Sequence, residues 1–145
     1  MLNNKFLFVV LPFFVLSCNE VEITPNYEKF NSEIGELNYR ILYPKNFDES
    51  KNYPLTLFLH GIGERGDDNE LQLKYIDKVF LNTKNYNDFT SLVIFPQAPL
   101  TDNWSSRILI DSEIRQVFPK DAKPTNSLQL VIKLMDSMVR EDFID

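Results

Sequence analysis

The chain has 145 residues, 43% of them hydrophobic and 13% aromatic, which is enough apolar mass for one globular domain and excludes a disordered or collagen-like chain. Its 21 acidic against 15 basic side chains give a net charge of −6 and exclude a nucleic-acid surface, because affinity for phosphate rests on cations that release counterions. One cysteine and one histidine leave no internal disulfide and no cluster with metal-ligand spacing, so neither a metal nor another cofactor is expected.

At the N-terminus, Lys5 precedes the apolar run Phe6 to Leu16, whose 11 residues fall well short of a membrane-crossing helix. It reads as the apolar region of an export signal. The run closes on Val15-Leu16-Ser17-Cys18, which resembles a bacterial lipoprotein signal, with Leu16 bulkier than the residue usual there. The resemblance implies a signal peptide over residues 1–17, lipidation of Cys18, and anchoring of an exported domain to a bacterial membrane, on the periplasmic side or at the cell surface. Residues 18–30, polar and containing Pro25, read as a tether ahead of a domain over 31–145.

Within that domain, Leu37 to Tyr43 alternates as a strand ended by Pro44, and residues 45–52 form a polar loop. Pro54 to Leu59 is a continuous apolar run, the pattern of a strand buried on both faces, and it stops at His60-Gly61. Asp68 or Asn69 caps a predicted helix to about Leu81, with Leu71, Tyr75, Ile76, Val79 and Phe80 on its apolar face. Ser91 to Phe95 reads as a second buried strand, closed by Pro96 and Pro99. A long connection over 100–123 carries Trp104, and Pro124-Thr125-Asn126-Ser127 opens a helix in which Leu128, Val131, Ile132, Met135, Met138 and Val139 share a face. Alternating strands and helices predict an α/β fold with a mostly parallel sheet and right-handed crossovers. A further parallel strand is expected to begin at Phe143-Ile144-Asp145, so the chain reads as the front portion of a larger domain.

Three of the four glycines fall in Gly61-Ile62-Gly63-Glu64-Arg65-Gly66, after a strand and before a helix. The spacing satisfies a dinucleotide fingerprint, but Asp67, Asp68 and Glu70 place negative charge where a pyrophosphate would sit, which argues against it. In the competing reading the glycines form a tight bend that points a backbone N–H into a cleft, where it stabilises an oxyanion. The stretch Leu57 to Gly66, with Tyr39-Arg40-Ile41-Leu42-Tyr43-Pro44 before it and Ile94-Phe95-Pro96-Gln97-Ala98-Pro99 and Asn103-Trp104 after it, resembles the secreted carboxylesterase and phospholipase-like branch of the α/β-hydrolases, related to feruloyl esterases and dienelactone hydrolases. The likeness runs from Leu37 to Asp145.

That resemblance implies an incomplete α/β-hydrolase fold and an exported serine hydrolase acting on acyl or carbohydrate esters. It implies that the Ile62 N–H is the oxyanion donor, in a bend where Gly61 and Gly63 supply conformational freedom. A plain turn remains the other reading of Ile62. The family's G-x-S-x-G elbow is missing, and no histidine comes after His60, so nucleophile, acid and base lie outside this chain and the chain alone is expected to be inactive. His60 reads as structural, bonding the loop backbone. Glu64 and Arg65 read as an ion pair within the loop or as substrate contacts, and Trp104 as the wall of an acyl or sugar pocket or as core. Asp102, Asp111 and Asp121 read as solvated loop carboxylates. The rival from another class is a lipid-anchored module that binds ligand without catalysis, and the oligomeric state is open.

Overall fold

The computed structural model describes residues 23–106, 108–110, 115–117 and 119–145. The signal segment, Cys18 and Asp111 lie outside the described residues. Strands β1 (Asn26–Ser32) and β2 (Gly35–Leu42) form an antiparallel hairpin in which Ser32 pairs with Gly35. Gly35 sits at φ +137°, a conformation that side chains rarely tolerate and that lets the two-residue turn close. The tether reading therefore gives way at Asn26. β1 lies at the sheet edge with most of its side chains in water, so it carries no apolar alternation for a sequence reading to detect.

β2 pairs antiparallel with β4 (Leu92–Pro96), and β3 (Leu55–Leu57) pairs parallel with β4, giving the order β1-β2-β4-β3. The sheet over the described residues is thus mixed rather than mostly parallel: the short β1–β2 turn forces the first pair antiparallel, and β2 also runs against β4, whereas β3 runs with it. β4 is buried along its whole length. Ile94 faces the helix α2 (Asn126–Met138), packing with Leu37, Leu130, Val131 and Leu134, while Val93 and Phe95 face the opposite layer with Leu42, Ile76 and Phe80. Burial on both faces is the physical reason its sequence is a continuous apolar run. β3 is shorter than expected and only half-buried. On its outer side, just before the strand, the Tyr53 N–H donates to the Phe143 carbonyl at 2.9 Å and the Asp145 N–H donates to the Tyr53 carbonyl at 3.1 Å. This parallel bridge falls where the sequence places the start of another strand.

The expected helix over 68–81 is broken. Asp68 does cap it, accepting from the N–H groups of Glu70 and Leu71, but the chain then passes through a 3₁₀ turn at Leu71–Leu73, a π-helical turn at Asp77–Leu81 and a short α1 (Thr83–Asp88) capped by Asn82. Of the expected face only Ile76 and Phe80 are buried, while Leu71, Tyr75 and Val79 are exposed. Gln72 is buried instead, its amide bonded to the Asn69 side chain, and such local polar bonds compete with a regular helix. The α2 face is also rotated from expectation: Ser127, Leu130, Val131 and Leu134 point inward, and Ile132 and Val139 point to water. The rotation begins at the first turn, where the Asp102 carboxylate takes both the N–H and the hydroxyl of Ser127 at 2.7 and 2.8 Å. In the long connection, β5 (Ile108–Ile110) and β6 (Arg115–Val117) pair antiparallel.

Candidate active site

The glycine loop comes directly after β3, and both of its ends are fastened to one residue at the end of β4. The Ala98 N–H donates to His60 Nε2 at 3.0 Å, and the Gly66 N–H donates to the Ala98 carbonyl at 2.9 Å. Ala98 is wholly buried, so this anchor is shielded from competing water. Because His60 Nε2 accepts, the ring proton resides on Nδ1, which donates to the Gly61 carbonyl at 2.6 Å. Burial, above all, holds the His60 pKa below its ordinary value, outweighing the Gly61 carbonyl and Glu64, which act in the other direction. The imidazole is therefore neutral and already engaged on both nitrogens, as expected of a structural histidine.

Trp104 closes over it. The indole N–H donates to the His60 carbonyl at 3.0 Å, and the two rings meet edge-on at 4.9 Å. One part of Trp104 packs on the α2 core, as its core reading expects, and the half-buried ring also lines a cavity of about 290 Å³. The other lining residues are His60, Gly61, Ile62, Arg65, Ala98, Asn103 and Ser105.

Arg65 corrects its expectation. Instead of pairing with Glu64, its Nε donates to the Ile62 carbonyl at 3.0 Å, and its Nη1 reaches the carbonyls of Leu100 and Asp102 and the Asn103 side chain between 3.0 and 3.2 Å. The fixed fork of a guanidinium suits this multiple bonding, and it ties the glycine loop to the loop that carries Trp104.

Asp102 is likewise more than a solvated carboxylate. It accepts from the Asn103 N–H and from the first turn of α2. Burial alone raises its pKa, but the N–H groups of Ser127 and Asn103 and the Ser127 hydroxyl outweigh that and hold it below the usual carboxylate range. Beneath the loop, Gln97 Oε1 accepts from the Asn69 N–H at 2.6 Å, and Gln97 Nε2 donates to Asp68 at 2.7 Å and to the Glu64 carbonyl at 3.3 Å. The Asn69 amide in turn donates to the Tyr39 carbonyl at 2.9 Å, so loop, β2 and β4 share one buried polar knot. The sequence marks Gln97 only as part of the Pro-Gln-Ala-Pro stretch that carries the resemblance, and Asn69 only as a candidate helix cap beside it. Neither signal names the partners that the two side chains meet here.

Ile62 opens a 3₁₀ turn over Ile62–Glu64, with its side chain 52% exposed. Among the described residues its N–H has no acceptor. The glycines on either side do not supply the freedom expected of them: neither Gly61 nor Gly63 has a positive φ, and Gly63 has open space where a Cβ would stand and does not line the cavity. A Cβ at Gly61 would meet only the free end of the Glu64 side chain, at 2.8 Å, whereas at Gly66 it would press on the buried Gln97 amide at 3.0 Å.

No protein-family model and no curated protein matches the chain. Among solved structures it is similar to a thermostable esterase, at 30% identity and a TM-score of 0.66 over 83% of this chain and 31% of the esterase. It is also similar to a CE1 ferulic acid esterase from the anaerobic fungus Anaeromyces mucronatus, at 14% identity and a TM-score of 0.52 over 88% of this chain and 47% of that protein. The second likeness shows the fold. The chain thus spans about a third to a half of the length of the structures it matches.

A mixed sheet, a loop after a parallel strand fastened to its neighbour's end, and a cavity above that junction define the class: an incomplete α/β-hydrolase fold. Within that class the chain resembles the esterases.

Proposed function

We propose that this chain is the front portion of an exported, lipid-anchored serine ester hydrolase that acts on acyl or carbohydrate esters. The observation that carries the reading is the Ile62 N–H, a donor without an acceptor among the described residues, at the rim of a cavity where His60 and Ala98 fix the loop. Such a donor binds the negative charge that develops on a carbonyl oxygen under attack. The attacking serine, its histidine and its acid come from chain beyond Asp145, on strands that continue the sheet past the Tyr53–Ile144 bridge. Trp104 presents an aromatic wall to the acyl or sugar group. The likeness to the thermostable esterase supports the same reading.

In the full-length protein, a fluorophosphonate probe is expected to label one serine and p-nitrophenyl acetate to be hydrolysed, whereas residues 1–145 alone are expected to show neither. Absence of both labelling and turnover in the full-length protein overturns the assignment and leaves a ligand-binding module. The anchor is tested separately. Metabolic labelling with palmitate is expected to mark the wild type and to vanish in Cys18→Ala, with release of the protein from the membrane fraction. Equal labelling of both removes the lipoprotein reading.

A further inference from the structure

The Gly61 carbonyl and the Ile62 N–H belong to one peptide unit, and no peptide bond among the described residues is cis. In a trans peptide the C=O and N–H point in opposite directions, so whatever grips the carbonyl aims the N–H. The Gly61 carbonyl is gripped twice, by His60 Nδ1–H at 2.6 Å and by the Glu64 N–H at 3.3 Å. The shorter of these bonds comes from a side chain that is itself fixed, since His60 is 5% exposed, with Nε2 held by the Ala98 N–H and its own carbonyl held by the Trp104 indole.

We propose that His60 is a positioning residue, whose Nδ1–H holds the Gly61 carbonyl and thereby turns the Ile62 N–H of the same peptide away from the imidazole and toward the oxyanion. The inference rests on the oxyanion reading above and adds to it the group that sets the donor's direction. The two bonds make opposite demands: a donor at the δ position and an acceptor at the ε position. Among side chains of this size, the neutral imidazole protonated on Nδ1 meets both. Asparagine places an amide near the δ position and can keep the donor, losing the bond to Ala98. Glutamine places its amide near the ε position and can keep the acceptor, losing the bond to Gly61. A histidine that only supports the fold has no reason to favour the first substitution over the second.

The experiment uses the full-length protein with p-nitrophenyl acetate as substrate. In His60→Gln, kcat falls about 10²-fold while KM stays within about threefold, the pattern of an interaction made in the transition state. His60→Asn recovers most of that loss. Thermal melts of both variants identify any that fail to fold. In a ¹⁵N-histidine-labelled wild type, the imidazole shifts report the Nδ1–H tautomer, and in uniformly ¹⁵N-labelled wild type and variants the Ile62 amide resonance moves in His60→Gln and not in His60→Asn. Equal loss of kcat in the two variants, a reversed order, or an Nε2–H tautomer overturns the proposal. If the wild type hydrolyses nothing, the function proposed above fails, and the tautomer and the Ile62 amide shift still decide whether His60 sets that peptide.

Discussion

Ile62→Pro in the full-length protein is expected to lower kcat by about 10² to 10³ while leaving the fold intact, the loss typical of one deleted oxyanion donor. The local backbone makes this an unusually clean removal of a single N–H. Ile62 is the first residue of its 3₁₀ turn, a position where proline's fixed φ fits and where the missing N–H breaks no turn bond. The preceding residue, Gly61, is at φ −77° and ψ 178°, the extended conformation that a proline in the next position requires. The lost side chain is half in water, so little burial goes with it. Ile62→Ala retains the N–H and separates the two contributions, and its kcat is expected to remain far above that of the proline variant. Steady-state kinetics on p-nitrophenyl acetate, with a thermal melt beside it, reads both. A proline variant with wild-type turnover and an unchanged melt shows that this amide rounds a corner and does nothing more.

Gln97→Leu carries the largest expected cost in stability, about 3 kcal/mol, although leucine has nearly the same volume and the site is buried. The substitution leaves the Asn69 N–H inside the protein without an acceptor, and it takes one donor from the Asp68 carboxylate and another from the Glu64 carbonyl. A buried donor stripped of its partner loses its hydration without compensation, and that penalty exceeds any gain from a more apolar side chain. The melting temperature is expected to fall by roughly 10 °C. Urea denaturation gives the free energy directly, and a midpoint within experimental scatter of the wild type would show that the polar knot does not hold the loop. Because Gln97 sits between β4 and the segment 64–69, kcat is expected to fall with stability in this variant, in contrast to Ile62→Pro, where it falls alone.

Only short-range pattern is written in the residues. The alternation over Leu37 to Tyr43, the apolar runs at Pro54 to Leu59 and Ser91 to Phe95, and the helix start at Pro124-Thr125-Asn126-Ser127 each encode an element through neighbouring side chains. β2, β3, β4 and α2 therefore stand close to where the pattern puts them. The position of the glycine loop between a buried strand and a helical segment was legible for the same reason, and with it the resemblance to esterases. The tertiary structure decided everything that depends on partners distant in the chain. β1 exists because β2 supplies its hydrogen bonds, not because its own polar residues favour a strand. The break in the helix over 68–81 arises from Asn69 and Gln72 turning into a buried network with Gln97, 28 residues beyond Asn69. The proton on His60 is placed by an amide 38 residues away, and Arg65 Nη1 finds its acceptors 35 to 38 residues on. A polar side chain's composition says that it needs partners; which ones it meets, and therefore which way its neighbouring peptide points, is fixed only when packing brings separate segments together and shuts water out.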